Sequence, residues 1–185
     1  MIQHETEPCL NASAPLNLQV DSRMKTIDGR SNLFVFVHPY CPCSNATIGE
    51  MERIVARTPQ QLTAHVIFWH PKNTAPNWHQ TSLWSRAKQI PGIHVIDDFE
   101  GILANRFQVK TSGQALLYDT VGRLQYAGGI TPARAHSGDN AGSDAIYALA
   151  KSQPDSNSIA CRQCAVFGCP INVSSQNAVQ SERQQ

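Results

Sequence analysis

Charge of one sign is missing from this chain of 185 residues. Its 15 Lys and Arg stand against 14 Asp and Glu, for a formal net charge of +1. So balanced a surface gives no electrostatic case for nucleic acid or an acidic partner. Also missing is any apolar run near the ~20 residues that span a bilayer, so no membrane segment is predicted. Residues 1–20 lack the basic start and apolar stretch of a secretory signal, and carry Glu5, Glu7 and Pro8 instead. That absence points to the cytoplasm; a truncated start would allow the periplasm. No internal repeat is present. The length suits one domain with a real core and is short for two.

What the chain does have is clustered cysteine. Of Cys9, Cys41, Cys43, Cys161, Cys164 and Cys169, all but Cys9 fall in two tight groups. A stapled secreted domain spreads its cysteines. Clusters in a reducing compartment more often mean redox chemistry or metal.

The organising stretch is Leu33-Phe34-Val35-Phe36-Val37 followed by His38-Pro39-Tyr40-Cys41-Pro42-Cys43-Ser44. The apolar run reads as a central strand, buried on both faces. A helix is predicted from about Pro42 to Arg57, with Ile48, Met51, Ile54 and Val55 at helical spacing and Pro42 at the first helical position. A cysteine at a helix mouth has a chemical reason. The exposed amides and positive end of the helix favour the thiolate, which is the reactive form.

Around this centre, Leu16, Leu18 and Val20 alternate as a short edge strand, and Asp28 to Asn32 is a turn. A strand is predicted over Leu62–Trp69, a helix over Trp78–Ile90 and a strand over Ile93–Ile96. Asp97-Asp98 is a cap for a short helix reaching Phe107. Ala115–Tyr118 and Arg123–Ala127 form a hairpin, Gly128-Gly129-Ile130 leaves it, and Ser143–Lys151 is the last helix. The order β-α-β-α-β-α-β-β-α implies an α/β mixed sheet with helices on both faces. The division is a lead-in over 1–30, a domain over 31–152, and a linker and Cys-containing C-terminal tail, partly disordered, over 153–185.

This order, with cysteines after the first core strand, resembles the thioredoxin-like superfamily. The segments His38–Ser44, Thr111-Ser112-Gly113, Gly128–Thr131, Ala135–Gly142 and Phe167-Gly168-Cys169-Pro170 make it similar to a bacterial group termed RedB-like. The likeness implies a redox domain without naming a substrate. Two departures stand out. The family site is C-x-x-C, and here it is Cys41-Pro42-Cys43. The family's cis-proline, which shapes the substrate groove, aligns with Gly113, so Pro42, Ser112 and Gly113 are the groove candidates.

The residues leave several roles open. Cys41 is the candidate attacking thiolate, expected to be part exposed, although a free cysteine also packs as a small buried hydrophobe. Cys43 is either its resolving thiol or a buried helical residue, with Cys41 and Ser44 then forming C-x-x-S. A Cys41–Cys43 disulfide would close a very small, strained ring, and strained disulfides are oxidising. Cys161, Cys164 and Cys169 offer a relay or three ligands of a metal site. His38 is a candidate base, or simply the end of a strand. His136, with Asp139 and Asn140, lies in a polar loop, and Trp69 reads as core.

The expectation is a thiol–disulfide oxidoreductase that needs no organic cofactor. It would act on a protein or small-molecule thiol or disulfide and be recharged by an external dithiol reductant or oxidant. The alternative is a thioredoxin-fold soft-metal (copper) chaperone or assembly factor that binds through Cys41, Cys43 and His38.

Overall fold

The structure, a computed structural model, describes residues 14–151 and 164–171. The elements follow in the order β1 (Ser31–Val37), α1 (Ser44–Arg57), β2 (Leu62–His70), α2 (Ser82–Gln89), β3 (Ile93–Phe99), α3 (Ile102–Arg106), β4 (Gln114–Tyr118), β5 (Leu124–Gly129) and α4 (Ala141–Lys151). The predicted order of strands and helices is the one observed.

The five strands form one sheet in the order β3-β2-β1-β4-β5. β1 sits in the middle. It pairs in parallel with β2 and antiparallel with β4. β2–β3 is parallel and β4–β5 antiparallel. Period-two alternation then sends β1 side chains to two cores. Leu33, Val35 and Val37 meet Ile48, Met51 and Ile54 of α1, Leu83 and Ala87 of α2, and Ile146 of α4. Phe34 and Phe36 face the opposite layer, with Leu103 and Ala104 of α3 and Phe107 and Val109 after it. All seven β1 residues are buried. This placement explains why the run is apolar throughout, since neither face meets water.

The ends of elements depart from the sequence reading where local hydrogen bonds decide. Helix α1 begins at Ser44, not Pro42. Cys41-Pro42-Cys43 makes a turn in which the Ser44 N–H donates to the Cys41 carbonyl (3.0 Å), and Cys43 is the cap. Helix α2 begins at Ser82, because the Thr81 hydroxyl accepts the Trp84 N–H (3.4 Å) and starts the helix there. Leu16 to Val20 make no edge strand. A single bridge, Asn17 to Arg123, ties them to the hairpin, and Leu16 and Val20 are exposed. Gly128 and Gly129 do not leave the hairpin but extend β5.

Asp98 does cap α3, from inside β3 rather than from the helix end. Its carboxylate accepts the Leu103 N–H (2.7 Å) and the Ala104 N–H (2.9 Å) and is fully buried. Among the described residues no helix is long and apolar enough to cross a membrane.

Replacing Asp98 by Ala orphans two buried amides, and should cost about 2 kcal/mol of unfolding free energy by denaturant titration. Asp98→Asn, which keeps one acceptor, should lose less. Equal midpoints for wild type and Asp98→Ala would refute this account of α3.

Candidate active site

The site is assembled where β1 ends, α1 begins and the loop before β4 passes. The central strand delivers His38 to Cys41 to the end of the sheet, and the turn at Pro42 brings Cys43 to the cap position of α1. Pro42 is exposed at its tip.

Below the cysteines lies a hydroxyl network. The Ser112 Oγ accepts the His38 N–H (2.9 Å) and lies 2.9 Å from the Ser44 Oγ, whose hydroxyl reaches the His38 carbonyl (3.0 Å). Gly113 occupies the position where the resemblance expects a proline. Its φ of +92° suits glycine. Its N–H donates to the Phe36 carbonyl (2.7 Å), a bond no proline makes.

Over this floor runs the C-terminal segment 164–171. The Gly129 N–H donates to the Cys164 carbonyl (3.1 Å), the Ser112 N–H to the Cys169 carbonyl (2.8 Å), and the Ile171 N–H to the Lys110 carbonyl (2.7 Å). Thr111 and Pro170 form an antiparallel bridge. Val166 and Ile171 are buried. This stretch of the predicted tail is therefore packed on the domain. Cys9, Cys161 and the linker 153–163 lie outside the described residues.

Glycines make the close approach possible. A Cβ on Gly128 would come within 2.6 Å of the Cys164 nitrogen, and one on Gly129 would strike the Ala165 carbonyl. A Cβ on Gly113 would meet the Phe167 carbonyl oxygen at 3.3 Å, and one on Gly168 would strike the Ser112 carbonyl. The Gly128-Gly129 pair, read in the sequence as leaving the hairpin, is a feature that could have signalled this crossing, since glycine in a strand often marks the approach of another backbone.

The segment brings Cys169 onto Cys41. The Cys169 N–H donates to the Cys41 Sγ (3.3 Å). The expectation that Cys41 is part exposed is corrected: its exposure is 3%. Burial alone would raise its pKa, yet the thiol is driven well below the ordinary range, to about 5. The largest cause is the hydrogen bond from the Cys169 thiol. The amides of Cys169 and Cys43 and the Ser44 hydroxyl add to it. Cys43 is pushed up, first by burial and then by the charge on Cys41. Cys169 is pushed up as well, because its proton is held in the bond to Cys41. The Arg134 guanidinium pulls modestly the other way on both. The four described cysteines are all free thiols.

The remaining predicted residues lie elsewhere. His38 turns its ring into an aromatic group, 5.0 Å from the Trp69 centroid and 5.6 Å from that of Trp78, and its Nδ1 accepts the Tyr40 N–H (3.1 Å). Burial lowers its pKa to about 4, so it is neutral at physiological pH, and it is not among the groups that shift Cys41. Its bond to the Tyr40 N–H braces the turn leading to Cys41. Trp69 is core. His136 and Asp139 are exposed, and Asn140 caps α4 through the Ser143 N–H (2.8 Å). Cys164 sits at the far end of the segment, against the α1-side core. Among the described residues no three His, Cys, Asp or Glu side chains are grouped to hold a metal ion, so the set Cys41, Cys43 and His38 is not assembled as one.

No protein-family model matches the chain, and no curated protein matches it. Solved structures do. An uncharacterized conserved protein from Geobacillus kaustophilus superposes with a TM-score of 0.61 at 16% identity, over 80% of this chain and 79% of that one. A hypothetical protein from Sinorhizobium meliloti gives 0.58 at 20%, over 80% and 82%. The exposed lipoprotein thioredoxin of Streptococcus pneumoniae gives 0.50 at 16%, over 67% and 85%. The fold is thioredoxin-like. These likenesses do not reach the narrower RedB-like group.

The low thiol pKa has a direct test. Thiolate absorbance of the reduced protein should titrate near pH 5, with charge gained as pH rises through that value. Cys169→Ala removes the largest stabilising donor and should move the midpoint upward. A wild-type Cys41 that stays protonated at neutrality would contradict the geometry.

Proposed function

We propose that this protein is a thiol–disulfide oxidoreductase with Cys41 as its attacking sulfur. The observation that carries the reading is the Cys41 Sγ, held as a thiolate by donors at the mouth of α1 and bordered by two further thiols. The thioredoxin-like fold supports it, and gives the sulfur its place at a strand-to-helix junction.

In the exchange, the Cys41 thiolate attacks one sulfur of a substrate disulfide. The sulfur–sulfur bond of the substrate breaks, its other sulfur leaves as a thiolate, and a mixed disulfide forms on Cys41. A second thiol, Cys43 or Cys169, gives up its proton and attacks the Cys41 Sγ. That step releases the reduced substrate and leaves an internal disulfide. Two electrons have passed from the protein to the substrate, and an external dithiol restores them. The same bonds run in reverse when a substrate dithiol is oxidised.

Thiolate stabilisation at Cys41 favours the reduced form, which moves the couple toward the oxidising end of the scale. It also makes Cys41 a good leaving sulfur, so the reverse direction is chemically open. The substrates are protein or small-molecule thiols and disulfides. No organic cofactor enters any step.

Cys41→Ser should reduce exchange with oxidised glutathione to the uncatalysed background. Between pH 6 and 8 the wild-type rate should change little, because a thiol titrating near 5 is already charged there. Exchange that persists in Cys41→Ser would remove the assignment.

A further inference from the structure

Two thiols border Cys41, and they are held in different ways. We propose that Cys169 is the resolving cysteine, and that segment 164–171 vacates the mouth of α1 to admit substrate and returns to complete the reaction. The assignment rests on Cys41 being the attacking sulfur.

Cys43 is fixed by its duty as the cap of α1. Its carbonyl accepts the Thr47 N–H (3.2 Å) and the Thr47 hydroxyl (3.3 Å). To bond Cys41 across one proline it would have to close a strained ring and disturb that first turn. Cys169 carries neither burden. It comes from 128 positions away, on a segment whose backbone is docked before it by the Gly129 N–H at the Cys164 carbonyl, at its own carbonyl by the Ser112 N–H, and after it by the Lys110 carbonyl at the Ile171 N–H. The amides and thiols of both cysteines address the Cys41 sulfur, and the Cys169 thiol is the strongest of these donors.

The same contacts close the site. With the segment in place Cys41 has almost no exposure, so a disulfide substrate reaches it only when the segment lifts. An extended polypeptide that paired with the Ser112 N–H would displace the Cys169 carbonyl that now accepts it. Substrate and segment are therefore alternatives.

The chemistry explains the return. While Cys41 is a thiolate, it holds the Cys169 proton and keeps that thiol from ionising. Once Cys41 is tied up in a mixed disulfide, its negative charge is gone. Cys169 then loses its proton more easily. Its thiolate attacks the Cys41 Sγ, the bond to the substrate sulfur breaks, and the substrate leaves as a thiolate. A Cys41–Cys169 disulfide remains until an external dithiol reduces it.

The test mixes the reduced full-length protein with oxidised glutathione, quenches in acid and maps disulfides by peptide mass spectrometry. Wild type and Cys43→Ser should both yield the Cys41–Cys169 bond. Cys169→Ser should accumulate the Cys41–glutathione mixed disulfide. Gly168→Val alters no cysteine, but its side chain meets the Ser112 carbonyl. It should speed alkylation of Cys41 at least about tenfold, the change that about 1.4 kcal/mol of lost docking gives, and should slow formation of the Cys41–Cys169 bond. A Cys41–Cys43 bond in the wild type, resolution through Cys161 or Cys164, or unchanged alkylation in Gly168→Val would overturn this inference and leave Cys41 as the attacking sulfur. A Cys41 that takes up glutathione in no variant would overturn both.

Discussion

A buried negative charge is costly unless donors surround it, and the Cys41 sulfur is where this chain meets that constraint. Its donors come from two stretches far apart in the chain. Cys43 and Ser44 supply an amide and a hydroxyl from the turn into α1, and Cys169 supplies an amide and a thiol from beyond α4. Neither group alone matches the set. The Ser112–Ser44–His38 network fixes the near side, and the glycines under segment 164–171 allow the far side to come close.

This arrangement reconciles two demands that usually conflict. A thiolate that attacks must be reachable, and a thiolate kept in a low-dielectric site must be shielded and hydrogen-bonded. Here the shield and the strongest donor are the same segment. The proposed lifting of that segment would expose the sulfur and withdraw the Cys169 donor in one motion. The freed thiolate is more basic and hence a stronger nucleophile than the covered one.

Much of the scaffold was legible from local pattern. Leu33 to Val37 is apolar on both faces because it lies at the centre of a two-layer core. Ile48, Met51 and Ile54 repeat at helical spacing because one side of α1 packs on the sheet. Those signals are short-range, and a single sequence carries them. The placement of Cys169 is not of that kind. It depends on backbone hydrogen bonds from Ser112 and Lys110 and on absent side chains at Gly128, Gly129 and Gly168. None of these leaves a hydrophobic period to read. The burial of Cys41, expected to be part exposed, was not legible for the same reason, since its cover lies far away in sequence. His38 had two readings in the sequence, a base or the end of a strand. Three positions from Cys41 in the chain, its ring packs between Trp69 and Trp78, partners that lie far from it in sequence.

The path of the C-terminal segment has a mechanical meaning. Cys164 packs against the layer of α1, α2 and α4, while Ile171 is buried in the layer of α3. Between them the chain rounds the rim of the sheet and binds the two halves of the molecule like a clasp. The cover over the Cys41 sulfur is thus moored in both layers at once, through Cys164 on one side and Ile171 on the other.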